Sequence, residues 1–234
     1  MSRVKSVDNL HTNRAFTLVE LLVVISIISM LMAILVPAMD RAREKARIVV
    51  ANSELYGIAV ALESYSMDNN DKYPPTRIDC NPTVREHAYA LPQELIDQGY
   101  LPKGGEIGRV HWAKIEDEFN KGNTYKYIAA GPRYDFFGTP FADQPLYMQR
   151  HYPYGNQNQE ELVKFTKPSD SPVTWVIFSV GPRHDKQKVE QGNFPINQGY
   201  PVLKKFWYSA RTRKGTITRL KIKKGQHIGT FENN

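Results

Sequence analysis

Apolar residues run almost without interruption from Phe16 to Met39, FTLVELLVVISIISMLMAILVPAM, and the run carries a single carboxylate, Glu20. The 21 residues from Phe16 to Val36, at ~1.5 Å per helical residue, match the ~30 Å hydrocarbon thickness of a bilayer. The stretch predicts a membrane-spanning helix. It is longer than the apolar part of a secretory signal, and no small-x-small cleavage site follows it, so it is expected to stay in the product. Pro37 lacks a backbone donor and predicts a kink or local loosening rather than a stop, because helical periodicity resumes at once. From Asp40 to Met67, one apolar row holds Ala42, Ala46, Val49, Tyr56 and Val60, and a neighbouring row holds Ile48, Leu55, Ala59 and Leu62. Arg41, Arg43, Glu44, Lys45, Glu54 and Glu63 provide charges that can stay solvated. The expected element is one helix of about 50 residues, apolar all round in its first half and amphipathic in its second. Asp68-Asn69-Asn70-Asp71 and Pro74-Pro75 should end it.

Beyond Pro102 the pattern changes to short runs rich in aromatic and β-branched residues, punctuated by Gly and Pro. They are Tyr125 to Ala129, Leu146 to Arg150, Val173 to Val180, Phe206 to Ser209 and Thr216 to Ile222. Such runs predict an antiparallel sheet with long connections, with VTWVIFSV at Val173 to Val180 as its central strand. Two strings share Gly-Pro-Arg-x-Asp, at Gly131 to Asp135 and at Gly181 to Asp185. Each follows an apolar run, and both are read as strand-exit turns.

Composition adds bounds. With 234 residues and 41% hydrophobic content, the chain accommodates one membrane helix and one modest globular domain. Cys80 is the one cysteine, so the fold must rest on packing or a bound ion. Basic residues on both sides of the apolar run are balanced, so charge alone does not orient it across a membrane.

The string Arg14-Ala15-Phe16-Thr17-Leu18-Val19-Glu20-Leu21-Leu22 resembles the cleavage and methylation site of type IV prepilins and type II secretion pseudopilins. A second stretch, Leu55 to Asn69 followed by Tyr73-Pro74, resembles the major pseudopilin helix and its acidic, Asn-rich end. Ala90 to Leu95 and Gln98-Gly99-Tyr100-Leu101-Pro102 are similar to the family's next short helix and its exit. The resemblance implies an α+β, type IV pilin-like fold, in which a long N-terminal helix packs its second half on a small antiparallel sheet. It implies a leader at 1–15, a transmembrane segment at 16–39, an amphipathic continuation at 40–72 and a periplasmic globular domain at 73–234. A membrane peptidase would cut between Ala15 and Phe16 and methylate the Phe16 amine, although Ala15 stands where the family usually has Gly. Glu20 would meet the amine of an incoming subunit during assembly, and Pro37 falls where many members carry a proline. The partners implied are other copies, other pseudopilins, the prepilin peptidase and an inner-membrane assembly platform.

Candidate chemistry is sparse. Major pseudopilins often close a loop on calcium with a Ser-x-Gly-x-Asp-like strand exit, for which Ser179, Gly181 and Asp185 are the nearest equivalents here. Arg183 intrudes and no carboxylate occurs between Glu190 and Glu232, whereas calcium wants six to eight oxygens including carboxylates. No cofactor is therefore expected. The six histidines show no zinc spacing. There is no nucleophile elbow and no phosphate-binding loop, and Glu116-Asp117-Glu118 reads as a solvated charge cluster, so no enzymatic activity is expected.

Lys204 to Lys224 holds nine basic residues, no acid and the triplet Phe206-Trp207-Tyr208. Lys204, Lys205, Arg211, Arg213, Lys214, Arg219 and Lys221 are candidates for contact with an anionic partner. An edge hairpin guarded by lysines is the preferred account, and DNA comes last. The function expected is a non-enzymatic subunit of a secretion pseudopilus or pilus-like filament at the inner membrane. The alternative is a minor pilin of a DNA-uptake or adhesion system, and a third is a bitopic enzyme with an uncleaved anchor.

Overall fold

The computed structural model describes residues 16–78, 88–107, 110–135, 137–154 and 161–232. The leader residues, Ala15 among them, and Cys80 lie outside the described residues. The chain divides into two compact units between Arg43 and Glu44. Helix α1, Leu18–Asp68, contributes residues to both and runs through Pro37 without ending.

In the first unit the apolar side chains are exposed on every face, from Leu18 and Leu22 to Leu31 and Leu35. The helix is long and apolar enough to cross a membrane by length and composition. Its two interior hydroxyls find partners within the helix, Ser26 Oγ donating to the Leu22 carbonyl and Ser29 Oγ to that of Ile25, each at 2.7 Å. Neither then needs water, which hydrocarbon cannot supply.

In the second unit α1 ends where the sequence indicates. Asn70 adopts a left-handed conformation and the Asp71 N–H closes on the Ser66 carbonyl at 2.9 Å, the six-to-one bond of a Schellman stop. There follow β1 (Thr76–Ile78), α2 (Gln93–Asp97), β2 (Lys103–Ile107), β3 (Val110–Ala113), β4 (Lys126–Ala129), β5 (Gly131–Asp135) and β6 (Pro140–Gln144). The remaining elements are β7 (Leu146–Met148), β8 (Val163–Phe165), β9 (Val173–Ser179), α3 (Lys186–Glu190), β10 (Ile217–Ile222) and β11 (His227–Gly229). The main sheet is antiparallel, in the order β11-β10-β9-β4, so β9 is an interior strand. A smaller sheet, β1-β5-β6, contains a parallel pair, β1 with β5; β2-β3 and β7-β8 are separate ribbons.

The two-residue period of a strand explains the unbroken apolar text of β9. Trp175 and Ile177 face α1, where they join Leu55, Ile58, Leu62, Tyr127 and Ile217 in one core. Val176 and Phe178 face the other way, into a second core with Ile128, Met148, Leu203, Trp207 and Leu220. Each large aliphatic side chain buried in this way contributes about 1.5–3 kcal/mol. The architecture is thus α+β and pilin-like, a long helix on an antiparallel sheet.

Four sequence readings need correction. Of the two apolar rows on α1, only Ile48, Leu55, Ala59 and Leu62 are buried; Val49, Tyr56 and Val60 remain 67%, 55% and 48% exposed. Phe206 to Ser209 is not a strand but a 3-10 turn at Lys204–Phe206 followed by isolated bridges, Trp207 to Thr216 and Ser209 to Lys214. Only the second Gly-Pro-Arg-x-Asp string is a turn, since Gly131 to Asp135 forms β5, held between β1 and β6. The basic C-terminal segment is no edge hairpin either, because β10 lies between β9 and β11.

Candidate assembly site

The start of α1 is built by two side chains that serve each other. The Thr17 N–H and hydroxyl both donate to Glu20 Oε2, at 2.9 and 2.7 Å, and the Glu20 N–H donates back to Thr17 Oγ1 at 3.2 Å. This is a capping box, which satisfies donors that the first turn of a helix otherwise leaves unpaired. The Thr-x-x-Glu spacing, Thr17 to Glu20, is the local signal that announces it. Phe16, immediately before the box, is 76% exposed. Glu20 therefore stands at the helix start with its carboxylate oriented by Thr17, three residues away, close to where a Phe16 amine would emerge on cleavage.

The calcium candidates are each engaged elsewhere. Ser179 Oγ donates to Asp117 Oδ1 at 2.6 Å, and the Val180 N–H donates to Asp117 Oδ2 at 2.9 Å. Asp185 caps α3, accepting from the N–H groups of Gln187 and Lys188. A hydroxyl and one carboxylate, both committed, do not make a donor set for this ion. Asp117 corrects the reading of its cluster, because it is fully buried. Burial pushes its carboxyl above the usual range, against the hydrogen bonds from Ser179, Phe119 and Val180 and the charge of Lys126.

The seven basic candidates separate into two groups. Arg213 pairs with Glu44, Lys221 with Glu63, and Arg219, itself buried, with Glu232 near the end of the chain. Glu63 also takes His227 Nε2 at 3.1 Å and the Tyr73 hydroxyl at 3.0 Å. These three cations hold strands and turns to α1 and to the tail, so the segment is not a free cationic strip. Lys204, Lys205, Arg211 and Lys214 are exposed, with no carboxylate partner among the described residues.

Two turns bring a second arginine to Glu44. A Cβ on Gly181 would lie 1.9 Å from the Gly215 carbonyl oxygen, and both glycines have positive φ, 76° and 113°. Only glycine fits this backbone-to-backbone approach. Next to it Arg183 and Arg213 are themselves left-handed, with φ of 57° and 55°, and the Arg183 guanidinium reaches Glu44 at 4.0 Å. Nothing in the sequence pattern pairs these residues, which are far apart in the chain.

The prokaryotic N-terminal methylation motif matches residues 10–36, which include Phe16, Glu20 and the first turns of α1. The type II secretion system core protein G of Pseudomonas aeruginosa is 31% identical over 122 residues, covering 52% of this chain and 77% of the relative. The protein of that name from Aeromonas hydrophila is 35% identical over 89 residues, 38% of this chain and 62% of its own. The type IV wide pilus major component PilA4 of Thermus thermophilus is 42% identical over 57 residues, 24% of this chain and 44% of its own. No solved structure matches the chain. With the capping box at Glu20, the exposed apolar helix and the helix-on-sheet head, these likenesses place the chain in the family of type II secretion system core protein G, the pseudopilins with a type IV pilin-like fold.

Proposed function

We propose that the chain is a structural subunit of a type II secretion pseudopilus, made in the inner membrane with residues 1–15 cytoplasmic and the second unit periplasmic. Prepilin peptidase cuts between Ala15 and Phe16 and the new amine is methylated. Copies then leave the bilayer through an assembly platform and pack with one another and with other pseudopilins. The observation that carries this reading is the apolar surface of α1, exposed on every face of its first half and along Val49, Tyr56 and Val60 in its second. Lipid can cover the first part in the membrane, but a stripe on a water-exposed unit calls for a protein partner. The subunit works mechanically, by helix burial in a filament, and needs neither catalysis nor calcium.

In the bilayer Thr17 holds the Glu20 carboxylate. During assembly the Phe16 ammonium of an incoming copy replaces that partner, pairing charge with charge and setting the register of entry. N-terminal mass measurement on protein from membranes containing active prepilin peptidase tests the processing step. The mature chain should begin with N-methylated Phe16; recovery of intact Met1 chain alone would overturn the reading.

A further inference from the structure

A cavity of about 550 Å³ lies between the 181–194 and 200–216 segments of the second unit, within the size range of small-molecule sites. We propose that it binds a small amphipathic anion, a flat apolar body carrying a carboxylate or sulfonate.

The apolar body is called for by an aromatic lining that is already locked. Phe194 and Tyr200 stack with centroids 5.6 Å apart, and Phe206 meets Tyr200 edge-on at 5.4 Å. Trp207, buried beside them, is fixed by its Nε1–H donating to the Pro201 carbonyl at 2.7 Å. The Tyr200 hydroxyl takes no protein partner among the described residues, leaving one open polar group within the aromatic part of the lining.

The anionic end is called for by charge. Lys188, Lys205 and Lys214 all line the cavity, and none has a carboxylate partner among the described residues. Asp185 also lines it and accepts from the backbone of α3, so the lining sets three ammonium groups against one carboxylate. An inorganic anion would leave the rings unfilled, and a neutral ring would gain nothing from the ammonium groups. Two turns that contribute to the walls are joined at Gly181 and Gly215 and anchored through Arg183 and Arg213 to Glu44. Rigid walls lower the ordering cost of binding.

The test uses the full chain in phosphatidylcholine nanodiscs, titrated with 2-naphthoate by equilibrium dialysis, with empty nanodiscs subtracted. Saturable binding of one ligand per chain is expected. Lys188→Ala with Lys214→Ala should weaken it about tenfold or more, whereas Lys224→Ala, outside the cavity, should leave it unchanged. Ser209→Trp, which adds bulk at an exposed residue of the lining, should abolish it, and 2-naphthalenemethanol should bind at least several-fold more weakly than the acid. The proposal is overturned if binding does not saturate, if the paired lysine variant binds like wild type, if Ser209→Trp still binds, or if the neutral alcohol binds as tightly.

Discussion

Arg213 grips Glu44 with both arms of its guanidinium, Nε 2.8 Å from Oε1 and Nη2 2.7 Å from Oε2, across 169 positions of chain. The fork-to-fork geometry ties the turn after the aromatic triplet to the first residue of the second unit. Two residues with left-handed backbones, Arg183 and Arg213, converge on this one carboxylate. Strain of that kind persists only where the surroundings enforce it, and the close Gly181–Gly215 approach lies two residues from each arginine.

Replacing Glu44 by Gln should lower the melting temperature of the full chain in detergent by about 2–4 °C. Hydrogen bonding from Arg213 holds the Glu44 carboxyl below the ordinary value of 4.5. Its contribution is therefore complete above that value and disappears as pH falls through the lower folded one. Wild type should lose more stability than Glu44→Gln between pH 5 and pH 3, and parallel losses would show that the pair contributes nothing.

Asp117→Ala strands the Ser179 hydroxyl and the N–H groups of Val180 and Phe119. The expected cost is about 3 kcal/mol, read from denaturant unfolding. Asp117→Asn, which keeps an acceptor, should cost less. Asp117 already accepts from the Ser179 hydroxyl and the Val180 N–H at this strand exit, so a chelator should leave the wild-type transition where it is; a large fall on chelation would identify a bound ion.

Much of this architecture could be read from local text, because local rules produce it. The apolar run, the Asn-rich helix stop and the continuously apolar strand at Val173 each follow from the nearest few residues. The long-range pairs could not be read in this way. Glu116-Asp117-Glu118 looks solvated until Ser179 and Val180 are brought to it, and Lys204 to Lys224 looks like a basic strip until Glu44, Glu63 and Glu232 each take a cation. The two rows on α1 are equally apolar by periodicity, and only the position of the sheet decides that Leu55 is buried and Tyr56 is not. At the candidate site, Glu20 was legible through its motif, whereas its Thr17 partner needed the capping spacing to be weighed as well.

The exposed stripe gives a separate prediction. Val49→Glu and Val60→Glu place charges where the single chain is open to water, so thermal stability should stay within about 1 °C of wild type. Filament recovery should fall sharply, because burying an unpaired carboxylate between subunits is strongly unfavourable. Normal recovery would remove this face of α1 from the subunit contacts.

The role of Glu20 in assembly is the claim on which the account turns, and sheared-filament recovery from cells expressing each variant at equal membrane levels tests it most directly. Glu20→Val and Glu20→Gln should insert and be cleaved, since the scissile bond lies outside the capping box and the leader is unchanged. Filament yield should collapse, because the incoming Phe16 ammonium would meet no counter-charge. Glu20→Asp, which keeps the charge with a shorter reach, should give an intermediate yield. Wild-type yield from Glu20→Val would contradict the account.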